Sequence, residues 1–224
     1  MKTIKTILIT LLFAGFSTFS NAENRIGLTI TALDARADGT ELSRGVSQVR
    51  SEDIQGAFAS FFVETDVETP MGSMVLGLDV NPLDISGGQS VTNVRSAGGQ
   101  FSSQTNTAEI EVTENIGGYA IMGLGGTGAY VKAMLSSHKM EAETTIMNLT
   151  TGTSQTNSNY PSERFFGGHL SLGIERDLGD LFIRGEAGVS EYEKVTSKSS
   201  SGNTTVTAQI ENGVHARISI GKAF

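Results

Sequence analysis

A histidine and a serine two positions apart form the sequence pattern closest to a reactive pair. His169 and Ser171 flank Leu170, and Glu175 follows at the same alternation. Residues two apart in an extended chain share one face, so the histidine could act as the base for a serine nucleophile. These residue types are common and the pattern is not specific. We therefore predict that the protein is not an enzyme and name no catalytic residue.

Metal, phosphate and nucleic-acid chemistry find little support in the composition. The chain has three histidines, scattered along its length, and no cysteine, so we predict no metal site and no cofactor. The segment 125–128, Gly-Gly-Thr-Gly, lacks the lysine and the helix that follow a phosphate-binding loop. Asp and Glu number 24 against 16 Lys and Arg, and an acidic chain is a poor partner for nucleic acid.

Several segments of the chain alternate apolar and other residues, and charged residues recur at the positions between the apolar ones. We predict that these charged residues face an interior. The predicted interior set is Glu64, Asp79, Lys132, Glu175, Arg184, Glu186 and Arg217, with Asp66, His169 and His215. A buried charge without a partner costs several kcal/mol, so Arg184 and Arg217 should each contact a carboxylate. The set is compatible with a plug of ion pairs or with a narrow pore, whose excess of acidic groups would favour cations.

The elements that must position these residues are β-strands. Eight segments carry apolar residues at every second position, which indicates strands because successive side chains point to opposite faces. The apolar sets begin at Ile26, Ala57, Met74, Ile116, Ala129, Phe166, Leu181 and Val214. Ile110 and Val112 continue the parity of the fourth set, and Glu114 shares it. We place Glu114 above the apolar band or at a bulge.

The connections between these segments alternate between short and long. Short links near 68–72, 125–128 and 177–180 contain Gly or Pro, whereas long polar links fall roughly at 37–52, 83–107, 142–161 and 196–204. This predicts an all-β fold, an eight-stranded antiparallel up-and-down transmembrane β-barrel with short periplasmic turns and long extracellular loops. Ten strands remain an alternative, because 91–95 could pair within the second long link.

The first 22 residues have the pattern of an export signal. Lys2 and Lys5 precede an apolar run over 7–16, and Ser20-Asn21-Ala22 offers the small residues that a signal peptidase reads. We predict cleavage before Glu23 and a barrel domain over 23–224. The mature chain would keep 24 acidic and 14 basic side chains.

The apolar sets could face lipid, or could line a ligand-filled interior as in a soluble lipocalin-like barrel. The opposite sets are rich in Gly, Ser and Thr, whereas a soluble exterior would be dense in Lys and Glu. Aromatic residues also fall near predicted strand ends, which suits interfacial girdles. They are Phe165, Phe166 and Tyr192 toward the long links, and Phe182 and Phe224 toward the turns. We therefore expect the apolar sets to face lipid.

The last segment carries a family resemblance. Residues 214–224 alternate apolar side chains and end in Phe, and this pattern resembles the C-terminal strand of bacterial outer-membrane proteins. Lys222 departs from it, because its parity points to lipid. The resemblance implies that the outer-membrane assembly machinery reads Ile218, Ile220 and Phe224.

The arrangement over 23–224 is similar to the small outer-membrane barrel superfamily that includes the transmembrane domain of outer-membrane protein A and the opacity-type proteins. This implies a bacterial outer-membrane location, with lipid and lipopolysaccharide as surroundings. We predict a structural and surface-interaction role, in which long polar loops meet an extracellular ligand. The alternatives are a small cation-preferring diffusion channel and a lipid A-modifying enzyme, since some small outer-membrane barrels modify lipid A with His and Ser.

Overall fold

The computed structural model describes residues 23–43, 46–70, 72–97, 100–148, 153–157, 160–198 and 204–224. The predicted export signal, residues 1–22, lies outside these ranges. The strands are β1 (Asn24–Ser43), β2 (Val46–Thr69), β3 (Gly72–Asn81), β4 (Ile85–Ala97), β5 (Gln100–Gly123), β6 (Ala129–Asn148), β7 (Thr153–Asn157), β8 (Glu163–Leu178), β9 (Leu181–Tyr192), β10 (Val195–Lys198) and β11 (Thr204–Ala223). In these ranges no helix has the length and apolar character needed to span a bilayer.

Eight of the strands form a closed antiparallel wall. Its order is β1, β2, β3, β5, β6, β8, β9 and β11, and β11 pairs with β1 to complete the circle. The predicted all-β, eight-stranded barrel is therefore confirmed. Strands β4, β7 and β10 pair with β5, β6 and β11 in extensions of the wall. Segment 91–95 does pair within the second long link, as the ten-stranded alternative supposed, but it lies in an extension, so the closed barrel has eight strands.

The barrel has a turn end and a loop end. Strand β3 begins three residues after β2 ends, and tight reversals at 124–128 and 178–181 lie at the same turn end. Gly128 and Gly179 in these reversals adopt φ values of 75° and 74°, which favour glycine. Toward the loop end the strands run on, and β2 and β5 reach 24 residues each. A tilted spanning strand needs about 9–11 residues. In their described residues, the predicted long loops at 37–52 and 83–107 are thus mainly continuations of strands.

Apolar side chains cover the outside of the wall and polar side chains face inward. Leu170 and Ile218 are 55% and 64% exposed, while their neighbours Ser171 and Arg217 are buried. Other exposed apolar residues are Ile26, Leu28, Ile30, Phe61, Leu76, Leu135, Leu172, Ile174, Val214 and Ile220. An apolar exterior around a polar interior is the architecture of an outer-membrane β-barrel.

A bulge in β5 reverses the inward and outward parity of the chain. The β5–β6 register shifts between Thr113 and Ile116, and Glu114 adopts a φ of 52°. On the loop side of the bulge, Val112 packs on the buried Met140 and Phe165, so its predicted outward position is wrong. The extra residue of a bulge moves the following side chain to the other face of the sheet.

Three of the predicted girdle aromatics lie inside the barrel instead of at its outer surface. Phe165 and Phe182 are buried, and Tyr192 packs on the interior cluster around Phe165. Phe166 and Phe224 are exposed, as a girdle requires. The inward rings are accommodated by glycines. Phe182 lies opposite Gly221 on β11, where any side chain at Gly221 would overlap the ring.

Candidate functional site in the barrel interior

Four aromatic rings fill the turn-end half of the interior, each lying over a glycine on the adjacent strand. A Cβ atom at any of these glycines would overlap the facing ring. The pairs are Phe62 over Gly27, Tyr119 over Gly77, Tyr130 over Gly173 and Phe182 over Gly221. Missing side chains on one strand therefore make room for large ones on the next.

A buried ion-pair cluster is embedded among these rings. Both terminal nitrogens of Arg184 donate to the carboxylate of Glu64, and its Nε donates to Glu175 Oε2 at 2.5 Å. Tyr119 Oη donates to Glu64 Oε1 at 2.6 Å. The Arg184 guanidinium also lies 4.6 Å from the centroid of the Phe182 ring. Bidentate, charge-assisted bonds of this kind are among the stronger polar contacts in proteins.

A second cluster lies closer to the loop end. Arg217 donates to the carboxylate of Asp79, and its Nε lies 3.9 Å from Glu186 Oε2. Glu186 Oε1 accepts hydrogen bonds from Lys132 Nζ at 3.3 Å and Tyr130 Oη at 3.0 Å. Every charged side chain of this cluster therefore faces an opposite charge, which limits the cost of its burial.

Arg25 lies at the turn end of the interior and was absent from the sequence-predicted set. Its guanidinium contacts Glu175 at 3.3 Å, Asp66 at 3.4 Å and Glu23 at 3.4 Å. It shares the parity of Gly27 and Thr29, so alternation extended by one residue would have placed it inside. The hydroxyls of Tyr119 and Tyr130 were likewise not assigned partners from sequence.

The two clusters and the four rings fill the cross-section of the described barrel. Glu64 is 0% exposed, and Arg184, Lys132 and Tyr119 are also buried. The lining of a water-filled channel would be accessible to solvent, so no water-wide passage crosses this layer of the described interior. An eight-stranded barrel is just wide enough for side chains to fill it.

A chain of histidines and hydroxyls crosses the interior on the loop side of the ion pairs. His138 Nε2 and His169 Nε2 both lie 2.7 Å from Ser136 Oγ. His169 Nδ1 and His215 Nδ1 both lie 2.8 Å from Ser190 Oγ. The ends of the chain are Asn115 Oδ1, 2.7 Å from His138 Nδ1, and Ser171 Oγ, 2.9 Å from His215 Nε2.

This chain revises two expectations from the sequence. His169 and Ser171 share an inward face, yet the hydrogen-bond partners of His169 are Ser136 and Ser190, and Ser171 bonds His215. The His169–Ser171 pair that the spacing allowed is therefore not formed. His138 lies close in sequence to the long link at 142–161, and this position predicts a solvated side chain. In the structure it instead bonds Asn115 and Ser136 and stacks on Phe165, with ring centroids 5.0 Å apart. Pairing between neighbouring strands brings these residues together, and no local spacing reports it.

A small cavity adjoins the histidine chain. Asn81, Asn115, Ser136, His138 and Arg217 are among its lining residues, and about 50 Å³ is open to the centres of water molecules. One water needs about 10–15 Å³ by this measure, so a few waters or a small group would fit. Met140, Phe165 and Val195 form an apolar cluster above the chain. Within the described residues no group of His, Asp and Glu is arranged to hold a metal ion.

The outer face carries ion pairs where the apolar surface ends. Arg164 Nη2 bonds Glu114 Oε2 at 2.5 Å, and Lys139 Nζ bonds Glu141 Oε1 at 2.7 Å. The hydrogen bond to Glu141 raises the pKa of Lys139 above its usual value. These exposed charges mark the start of the polar, loop-end part of the wall.

Solved structures with a similar barrel include three proteins from different bacteria. Ail, the attachment invasion locus protein of Yersinia pestis, in complex with the heparin analogue sucrose octasulfate, has 9% identity and a TM-score of 0.32, over 90% of this chain and 99% of Ail. The outer membrane protease OmpT from Escherichia coli has 5% identity and a TM-score of 0.44, over 90% of this chain and 97% of OmpT. Neisserial surface protein A has 7% identity and a TM-score of 0.25, over 85% of this chain and 96% of that protein. No protein-family model and no curated relative matches the chain.

Proposed function

We propose that the protein is an exported outer-membrane barrel with a structural and surface-interaction role. Its turn end would face the periplasm, and its loop end would present an interaction surface outside the cell. The observation that carries this proposal is the length of the loop-end extension. Strands β4 and β5 pair from Ile85–Val112 to Ala97–Gln100, entirely on the loop side of the bulge. The remainder of the barrel wall already supplies the roughly 9–11 residues that each spanning strand needs.

The filled interior favours this role over the alternative of a cation-preferring channel. Glu64 and Arg184 close the layer in which a permeating ion would have to pass, and both are almost fully buried. The second alternative, lipid A modification through His169 and Ser171, loses its support because these two side chains bond to other partners.

The charge of the extension favours a cationic extracellular ligand. The ranges on the loop side of the apolar band are 33–43, 46–56, 82–97, 100–114, 139–148, 153–157, 160–164, 193–198 and 204–212. They contain 14 Asp and Glu but only seven Lys and Arg. Such a surface attracts basic proteins or peptides and repels sulfated polymers such as heparin, with a strong dependence on ionic strength.

Shortening one hairpin tests the proposed surface role. Residues 86–111 would be replaced by a short turn between Ile85 and Val112, which are paired in the parent barrel. Cells with the parent protein should bind a surface coated with a cationic polymer in low salt, and cells with the shortened variant should bind it less. Heat-modifiable gel migration checks that both barrels are folded. The proposal would be contradicted if cells with the parent and with the shortened protein bound the cationic polymer equally. It would also be contradicted if cells with the parent protein bound an anionic polymer as well as the cationic one.

The C-terminal strand is proposed to serve as the assembly signal. Ile218, Ile220 and Phe224 all lie on the outer face and are exposed. Phe224→Ala should lower the amount of folded barrel in the outer membrane relative to Leu178→Ala, an exposed residue at the same end. Equal amounts of the two variants would remove the assembly role from Phe224. Lys222 also lies at this end, next to Phe224, where its ammonium can reach the headgroups.

A further inference from the structure

Ser136, His138 and Asn115 have the geometry of a nucleophile, a base and an orienting group. Ser136 Oγ lies 2.7 Å from His138 Nε2, and His138 Nδ1 lies 2.7 Å from Asn115 Oδ1. The serine and the histidine occupy one face of β6 on the inner side of the wall, and the asparagine follows the bulge on the adjacent β5. A serine, histidine and amide in this order are recognised by geometry, independently of fold.

The amide of Asn115 fixes the proton positions in this set. Its Nδ2 donates to the Val112 carbonyl oxygen at 3.4 Å, and its Oδ1 faces His138. An amide oxygen only accepts, so His138 carries its proton on Nδ1 and leaves Nε2 free to take the proton of Ser136. His169 Nε2 then donates to Ser136 Oγ, across 2.7 Å. The hydroxyl proton of Ser136 is shared between His138 Nε2 at 2.7 Å and the Gly167 carbonyl oxygen at 3.3 Å, and the shorter contact is the one to His138.

A buried donor without a partner lies beside this set. Asn81 pairs with Asn115 across β3 and β5, and its Oδ1 accepts from Leu83 N at 2.9 Å. Its Nδ2 has no hydrogen-bond partner among the described residues, although the side chain is buried. Asn81 and Ser136 line the same cavity. A fixed amide donor of this kind suits the negative charge that develops on a carbonyl oxygen during acyl transfer.

We propose that Ser136, His138 and Asn115 form a hydrolytic site for esters of small acyl groups, with Asn81 as the oxyanion donor. This activity goes beyond the proposed surface role. The cavity leaves about 50 Å³ for water centres, where one water takes about 10–15 Å³. The acyl part is therefore limited to a few heavy atoms, as in an acetyl ester. Ser136 is itself buried, which restricts the entry of an ester, so we expect slow turnover.

The reaction consumes one water per ester and needs no oxidant or other co-reactant. Ser136 Oγ forms a bond to the carbonyl carbon while its proton passes to His138 Nε2. The bond from that carbon to the alcohol oxygen breaks, and His138 returns the proton to the departing alcohol. Water then attacks the acyl carbon, giving one proton to His138, which passes it to Ser136 Oγ as the acyl–serine bond breaks. The products are the free acid, the alcohol and the original enzyme.

The test uses the full-length protein, purified in detergent, with p-nitrophenyl acetate as the probe. Acid-quenched samples should show one acetyl group on Ser136 by peptide mass mapping. Ser136→Ala should abolish both the adduct and the turnover above buffer. His138→Gln should lower kcat by about 10²- to 10⁴-fold, as expected for the loss of a general base, and Asn81→Ala by about 10²- to 10³-fold. A p-nitrophenyl ester of a ten-carbon acid should not be cleaved.

Ser171→Ala is the matched control. Ser171 is buried and hydrogen-bonds His215, a histidine that has no asparagine to orient it among the described residues. It should keep the parent rate and the adduct on Ser136. Heat-modifiable migration must show every variant folded, and a variant that fails is replaced by Ser136→Gly or His138→Asn. Turnover equal to that of Ser136→Ala, or an acetyl group on Ser171 or on a histidine, would overturn the proposal and leave these contacts as filling of the interior.

Discussion

Arg184 on β9 binds both carboxylate oxygens of Glu64 on β2, although these two strands are not neighbours in the wall. The pair therefore ties together parts of the barrel that share no backbone hydrogen bonds. Both side chains are buried, with relative exposures of 2% and 0%. We expect the contact to stabilise the fold, because water cannot solvate a charge that is left unpaired at this depth.

Removing the Glu64 charge should destabilise the barrel strongly. In Glu64→Gln, Arg184 keeps only Glu175 as an anionic partner, and breaking a buried pair typically costs about 3–5 kcal/mol. The free energy of unfolding in urea, measured on the barrel in lipid vesicles, checks this value. Glu68→Gln, at an exposed residue near the turn end, is the control and should change stability by less than about 0.5 kcal/mol. A similar small change in Glu64→Gln would contradict the account of the interior.

The glycines beneath the inward rings should not tolerate a methyl group. In Gly77→Ala the new Cβ would overlap the ring of Tyr119, whereas Gly185 has nothing within 4 Å of its Cβ position. We expect Gly77→Ala to reduce or abolish the folded form in heat-modifiable gels. Gly185→Ala should migrate as the parent does. Equal folding of both variants would mean that Tyr119 is free to leave its place.

Because the interior is filled, we expect the barrel not to conduct ions in planar bilayers. The parent protein should give no stepwise conductance, because Glu64, Arg184 and the surrounding rings leave no water-wide passage among the residues that the structure describes. Tyr119→Ala combined with Tyr130→Ala removes two of those rings and should produce small steps. Cation-selective steps from the parent protein would instead favour the channel alternative.

Export predicts a defined start of the mature chain. Protein isolated from outer membranes should begin at Glu23, since Ala22 ends the small-residue site. N-terminal sequencing or intact mass measures this directly. Ala22→Leu should slow processing, because a bulky residue does not fit the peptidase site. A mature protein that still carries Lys2 and Lys5 would show that the segment is retained.

Alternation alone was enough to predict the wall of the barrel. Leu170, Ser171 and Leu172 alternate between outside and inside as the sequence indicates, because period two is a property of every strand. The prediction was wrong at Val112, since a bulge changes parity without any marker other than an acidic residue in an apolar set. It was wrong for Phe182, because an aromatic residue suits the outer girdle as well as an inward position over a glycine of the adjacent strand.

The contacts within the interior could be anticipated by residue type but not by partner. An inward arginine requires a carboxylate, yet the choice of Glu64 for Arg184 depends on the strand tilt and on how far each side chain reaches. The histidine chain shows the same limit. Asn115, Ser136 and His169 lie on three strands, and their meeting depends on a register that the sequence pattern leaves open.

Lipid exposure along β8 shows whether the apolar side chains of the wall face the membrane. The chain has no cysteine, so a fluorophore can be placed on single cysteines at Leu170, Ser171 and Leu172 in a barrel reconstituted with brominated lipids. We expect strong quenching at 170 and 172 and weak quenching at 171. Quenching at 171 alone, or at none of the three, would contradict a wall whose apolar side chains face the membrane.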